Sequence, residues 1–397
     1  MHHVAPMNAA SPIAIGIIAW NEEASISAML ESLFAQTIFA ELAAQNTRCE
    51  IICISNGCTD RTAAVAREIF ERQQREHPCK EAFTARVVEV QKRGKINAWN
   101  LFVHELSPRE AQFLFLADAD IVLSDPQTLW SMYRTLDENT TAIVSTDTPI
   151  KDIALKQRRR LMERLSLAAS RMTQSAAAQL TGQLYCIKAS IARNIYLPAG
   201  LAACEDGFIK ALACTYFLTH EVRPKHIVVA PKASHVFEAY VSLRDILNNQ
   251  KRQMMGQTVV HLLIDRELKP LPLEQKLNLA ETLRAREAAD PDWLKRLIGE
   301  HMRCTRHCWQ LFPNLLTSRF QRLKGLRGIK RITHLPVALA GLAVSLLASH
   351  RAFRALRAGY LNYWPDTQST KLQTIRAPET SSVPIPKTAI HMHGVKS

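Results

Sequence analysis

From Pro12 to about Ala230, short apolar runs suited to strands alternate with amphipathic helical stretches, and this alternation leaves few folds open. Ile13–Ala19 is a continuous apolar run, the pattern of a strand buried on both faces. Ile26, Met29, Leu30, Leu33 and Phe34 then recur at the spacing of a half-buried helix. Residues 51–54 form a second β-branched run, broken by Asn56-Gly57, and Asp60 can cap a helix carrying Val65, Ala66, Ile69 and Phe70. Residues 86–90 read as a third strand. Gly94 closes the next turn, and Ile96, Trp99, Val103 and Leu106 mark another helix. Residues 113–116 read as a fourth strand, running into Ala117-Asp118-Ala119-Asp120. The fold expected is α/β, an open mixed, mostly parallel sheet flanked by helices. Ligands of such sheets settle beyond the carboxyl ends of the strands. Asn21, Glu22, Asn56, Asp60, Lys95, Asp118 and Asp120 are therefore expected to line one crevice.

Further along, residues 141–146 and 182–188 read as strands, and 157–172 as a basic, helix-compatible stretch. Cys204-Glu205-Asp206 opens a helix with Phe208, Ile209, Leu212 and Ala213 on one face. Residues 243–263 form a helical region containing Gln250-Lys251-Arg252. Among the 397 residues, a hydrophobic content of 47% and a charged content of 22% suit a folded core rather than disorder. Nine scattered cysteines make no disulfide framework and fit a reducing cytosol, with Cys53 read as a buried thiol. Residues 1–11 lack the basic and apolar regions of a secretory signal.

Asp118 and Asp120 place two carboxylates at the mouth of a buried strand, where a divalent cation would relieve their repulsion and leave positions open for phosphate oxygens. Such triplets are common, so their weight comes from the strand and the polar crevice around them. Asp206, at a helix start, reads either as an acid steadied by the helix dipole or as a general base. Arg252 reads as a solvated helix charge or as a fixed cation for a leaving anion. No Gly-x-Gly-x-x-Gly follows a strand, which excludes a dinucleotide-dependent dehydrogenase. His301, Cys304, His307 and Cys308 share a short window, but their spacing is not a finger pattern; a partly buried basic helix is expected there rather than a zinc site.

Six segments, taken in order, resemble family 2 glycosyltransferases of the GT-A fold: Ala19-Trp20-Asn21-Glu22-Glu23, Ser55-Asn56-Gly57-Cys58-Thr59-Asp60, Gly94-Lys95 through Asn100, Asp118-Ala119-Asp120, Glu205-Asp206 and Gln250-Lys251-Arg252. The resemblance spans roughly residues 12–260. It implies an inverting transfer of a sugar from a nucleotide-diphosphate sugar, with a UDP-sugar the expected donor, to an acceptor hydroxyl. Asn21 and Glu22 would belong to the first nucleotide-contacting loop, Glu22 near ribose and base. Asn56 stands where the family has an aspartate reading the uracil edge. Asp60 would be structural, and Lys95 would lie near the nucleotide. Asp120 would hold Mg²⁺ or Mn²⁺, with Asp118 closer to the ribose or sugar, and Asp206 would be the catalytic base. Gln250 and Arg252 resemble the Gln-x-x-Arg-Trp motif near acceptor and diphosphate. Arg252 falls one place early from Gln250, aligns if the register starts at Asn249, and no Trp follows. A nucleotidyltransferase is the competing enzyme reading, but it should carry a Gly-rich, Arg-containing loop where Ala19-Trp20-Asn21-Glu22 stands. The non-catalytic alternative is an α/β protein binding anionic lipid.

The implied organisation is a catalytic domain over residues 12–265, a basic helical region over 266–365 and a flexible tail over 366–397, rich in Ser, Thr and Pro. Residues 301–365 contain eleven Lys or Arg and no Asp or Glu, so much of the net charge of +14 sits there. Residues 319–331 interleave cations with an apolar stripe, as interfacial helices do. Residues 335–348 are apolar but fall short of the ~20 residues a span needs. Arg351, Arg354 and Arg357 follow, so cations flank both ends, unlike a single span. Attachment to an anionic membrane surface is expected, at its cytoplasmic face, with a lipid-linked or cell-envelope glycan as acceptor. The alternative is a buried helix on the catalytic core. Aromatic platforms are sparse before Tyr360, and no nucleic acid partner is expected.

Overall fold

A computed structural model describes residues 12–160, 162–164, 166–167, 179–201, 204–312 and 329–360. Eight strands form one sheet in the order β3-β2-β1-β4-β7-β6-β8-β5. They are β1 (Ile13–Ala19), β2 (Cys49–Asn56), β3 (Phe83–Val90), β4 (Phe113–Asp118), β5 (Ile121–Leu123), β6 (Val144–Lys151), β7 (Leu184–Lys188) and β8 (Ile227–Phe237). The first four pair in parallel. β7 runs antiparallel to both β4 and β6, β8 is parallel to β6, and β5 closes the edge antiparallel to β8. This is the open, mixed sheet expected. Two strands were not legible in the sequence. β5 is three residues long, and β8 is interrupted by the exposed Pro231-Lys232 pair, which blurs its apolar pattern.

Alternation along β1 explains why both faces are covered. Ile13, Ile15, Ile17 and Ala19 join one buried cluster with α1 (Ile26–Phe34), α2 (Ile38–Ala44), α3 (Thr62–Glu76) and α5 (Thr128–Asp137). Ala14 and Ile18 join the other, with α4 (Lys95–Leu101), α6 (Glu205–Thr215) and the C-terminal helices. Gly16 points to this second side, where a Cβ would stand 2.7 Å from the Phe102 ring. Glycine is what lets that aromatic ring close on the strand. The stretch Ile26–Ala44, with mean hydropathy 1.2, is by length and composition a membrane-span candidate among the described residues; it is the pair α1 and α2, folded into the core.

The expected boundary at residue 265 falls inside a continuous helical segment, because α7 (Leu243–Leu262) runs on through a wider turn at Leu263–Leu268. The helices beyond it, α8 (Leu279–Ala289), α9 (Trp293–Cys304) and α10 (Ile329–Arg357), share the core that contains Phe208 and Met255. The described part of the C-terminal region is thus built onto the same core as the sheet. The basic stripe at 319–328 and the tail beyond residue 360 lie outside the described residues, as do residues 161, 165 and 168–172 of the expected basic helix at 157–172. Within the His/Cys window, Cys304 is exposed and His307 stacks on Trp309 at 4.2 Å. Among the described residues, no group of three or more His, Cys, Asp or Glu could hold a metal by itself.

Candidate active site

The carboxyl ends of β1, β2 and β4 open on one cavity lined by Ile18, Trp20, Glu22, Asn56, Arg93, Gly94, Lys95, Asp118, Ala119 and Asp120. The register explains the grouping. Asp118 pairs with Ile18, and Ser55 with Ala19, so Asn56 and Asp118 sit about two strand spacings, ~10 Å, apart. At the Asn56 end, the Arg93 guanidinium lies 3.5 Å over the Trp20 ring and makes a flat cationic wall. Asn56 accepts the Gly94 N–H through Oδ1 at 3.2 Å. A backbone N–H can only donate, so this contact fixes which way the amide points.

Asn21 has another task. Its backbone is left-handed (φ 52°), and its side chain is taken up by Thr59. It ties the loop after β1 to the loop after β2 and does not line the cavity. Asp60 accepts the Thr62 N–H at the start of α3 and the Glu23 N–H, the structural role expected of it. Glu22 does line the cavity. Burial, joined by the charge of Asp120, pushes its carboxyl up to about 8, against a hydrogen bond donated by Ser25.

Lys95 departs most from expectation. Its ammonium is buried and faces inward, 2.7 Å from Asp118, 3.1 Å from Glu205 and 2.9 Å from the Gly182 carbonyl. One cation therefore binds the end of β4 to the start of α6. Burial opposes its charge, but the two carboxylates win and hold the ammonium protonated. Gly182 makes room for this contact: a Cβ there would stand 3.2 Å from Glu205 Oε1.

Asp118 is thus already paired. The Asp120 carboxylate is not: among the described residues no side chain forms an ion pair or hydrogen bond with it. Burial raises its pKa, while the charges of Lys95, His235 and Arg252 act the other way. A half-buried carboxylate with no side-chain partner among the described residues is a fitting donor for a divalent cation. Mg²⁺-type sites commonly use one or two carboxylates and take their remaining oxygens from substrate phosphate and water. Behind it lies a hydrogen-bonded chain that is not marked by any motif. His235 Nδ1 is 2.6 Å from Asp147 Oδ2, and His235 Nε2 is 3.3 Å from Gln183 Oε1. The Gln183 carbonyl in turn accepts the Asp118 N–H.

Asp206 sits in the first turn of α6, after Cys204 in a left-handed conformation (φ 63°). Burial and then the Glu205 charge push its carboxyl up to about 6, against the Gly207 N–H it accepts at 2.7 Å. For Glu205, burial is outweighed by Lys95, and its carboxyl is held below the usual value. Arg252 projects from α7 and acts electrostatically on Glu205, Asp206 and Asp120, so it belongs to this neighbourhood. Gln250 is placed elsewhere. Its Oε1 accepts the Ser345 hydroxyl of α10 at 3.2 Å, so it braces two helices and does not line the cavity.

Comparison with known proteins bears on this site. None of the curated proteins matches the chain. Among solved structures, the chain is similar to the mannosyltransferase PcManGT from Pyrobaculum calidifontis in complex with GDP-Man and Mn2+, at 18% identity over 88% of this chain and 90% of that one, TM-score 0.48. It is similar to S. aureus TarS 1-349, at 15% identity over 89% and 93%, TM-score 0.42. It is also similar to glucosyl-3-phosphoglycerate synthase from Mycobacterium tuberculosis in complex with Mn2+, UDP-Glc and phosphoglyceric acid, at 15% identity over 63% and 79%, TM-score 0.40. The family model "Glycosyl transferase family 2" matches residues 14–192, the segment that contains every residue lining the cavity. Over residues 14–192, a little under half of its length, the chain is thus similar to glycosyl transferase family 2.

Proposed function

We propose that the protein transfers a sugar, with inversion, from a nucleoside-diphosphate sugar to an acceptor hydroxyl. The observation that carries this reading is the Lys95 bridge. It ties the strand end bearing Asp118 and Asp120 to the helix start bearing Glu205 and Asp206, which supports a donor site with a base close by. The flat Trp20–Arg93 wall suits a base, Glu22 a ribose, and Asp120 the diphosphate end. Mg²⁺ or Mn²⁺ held by Asp120 would supply positive charge to the diphosphate. Asp206, with a carboxyl near 6, is ionised at neutral pH and suited to take the acceptor proton. Arg252 supplies a fixed cation toward the leaving diphosphate. Asn56 Oδ1 accepts the Gly94 N–H and keeps a second lone pair and two Nδ2 donors for a base edge; uridine as the base rests on the sequence resemblance.

The acceptor read from the basic C-terminal region is a cell-envelope or lipid-linked glycan, met at the cytoplasmic face of a membrane. The direct test is hydrolysis of, or transfer from, a panel of nucleotide sugars with Mn²⁺. Turnover of at least one, abolished by chelator, is expected. Activity untouched by chelator would sink the metal assignment, and no turnover or nucleotide binding across the panel would sink the reading itself.

A further inference from the structure

Helix α10 has two unlike faces. One is made of small residues, Ala338, Ser345, Ala348, Ser349 and Ala352, all buried and followed by Leu356, and the helix lies along α7 on this side. The other is greasy and open. Leu335, Leu339, Leu346 and Leu347 are 42%, 49%, 44% and 55% exposed. At about 100° per residue, Leu335, Leu339 and Leu346 fall in one row, and the exposed Arg357 continues it, with Arg354 beside. The leucines run for roughly 18 Å at 1.5 Å per residue before the cations begin. Trp309, 62% exposed, stands on the short helical turn Cys308–Leu311 that packs against α10.

We propose that this face of α10 docks on the surface of an anionic lipid bilayer, with the leucines at the acyl boundary and the arginines among the headgroups. Three observations favour a bilayer over other occupants. A helix with one face built into the core cannot cross a membrane, but it can lie in its plane. The region from 301 to 360 holds no acidic residue, and the exposed Arg351, Arg354 and Arg357 of α10 itself complement anionic headgroups. Nucleic acid rewards cations and stacking rings rather than a row of leucines. The proposal deepens the reading given above and rests on it in one respect. Because α10 lies along the helix that carries Arg252, docking sets the acceptor side of the site beside the bilayer, and the acceptor is an amphiphile whose hydroxyl stands at the headgroup level.

The test uses the full chain with two vesicle types, zwitterionic phosphatidylcholine alone and the same lipid mixed with phosphatidylglycerol. Wild type should co-sediment with the anionic vesicles and lose much of that binding in high salt. The triple variant Leu339→Glu, Leu346→Glu, Leu347→Glu changes only exposed positions. It should bind the anionic vesicles at least about tenfold more weakly, with an unchanged circular dichroism spectrum and unchanged Mn²⁺-dependent nucleotide binding in solution. Equal binding by the triple variant overturns the proposal. So does a wild-type dimer that the triple variant disrupts, which would make the face an interface between two copies. Binding to an oligonucleotide in place of vesicles overturns it as well. Nucleotide binding is measured without lipid, so failure of the sugar-transfer reading shows separately from failure of docking.

Discussion

Replacing Lys95 with Met removes the cation from a buried site and leaves Asp118 and Glu205 facing each other. The side chains are only 9%, 21% and 13% exposed, so solvent screening is weak. At an effective dielectric constant of about 20, separations of 2.7 and 3.1 Å correspond to attractions of roughly 6 and 5 kcal/mol. Desolvation of each ion offsets several kcal/mol of that, and breaking a buried pair typically leaves a net loss of about 3–5 kcal/mol. The loss should depend on pH. In the wild type the lysine pKa is raised, so its stabilisation is complete below the free-lysine value of about 10.4. In the variant, two buried carboxylates without a cation have raised pKa values, and protonation relieves them as pH falls. The penalty should therefore be largest near pH 8 and shrink toward pH 5. Urea unfolding at both values measures it. Lys95→Met in an Asp118→Asn, Glu205→Gln background should cost far less, since the partners are already neutral. A loss below about 1 kcal/mol at pH 8 is what an exposed pair would give, and it would refute the argument.

Asp206→Asn should lower turnover by about 10²–10⁴-fold with nucleotide binding retained, and wild-type kcat/KM should fall as pH drops through about 6, because the base works only ionised; loss of binding instead would remove Asp206 from that role. Asp120→Asn should abolish Mn²⁺-enhanced nucleotide binding, measured by calorimetry, whereas retained enhancement would mean another group holds the metal. Gly16→Ala should cost about 1–3 kcal/mol by overpacking against Phe102, read as a lower urea midpoint with activity per folded molecule preserved.

How far the sequence alone reaches depends on whether a contact is local. The strands β1, β2 and β4 were legible because each is an apolar run ending in a polar turn, and the crevice followed from their shared direction. Glu22, Asn56, Lys95, Asp118 and Asp120 do line it. Lys95 was placed in the right cavity, but its ion pair with Glu205 was not legible, because the two meet across more than a hundred residues and no periodicity encodes that meeting. Asn21 and Gln250 were misread for the same reason: Thr59 and Ser345, which claim their side chains, are remote in sequence. His235 and Asp147 were silent because a buried polar pair on two strands looks, in one dimension, like two ordinary polar interruptions. The apolar stretch at 335–348 kept two readings open; the helix packs one face into the core, and its open face carries membrane attachment only as a proposal.

The order of synthesis gives α10 another meaning. At roughly 5–20 residues per second, residue 262 leaves the ribosome about 5–19 s before residue 357. Throughout that interval the sheet and the carboxylate crevice can form, yet α7 lacks the neighbour that covers it and that holds Gln250 through Ser345. The wall carrying Arg252 is the last part of the site to be braced, and the segment that braces it also bears the outward leucines. A nascent chain therefore braces the wall carrying Arg252 and acquires its outward leucines in one and the same step of assembly.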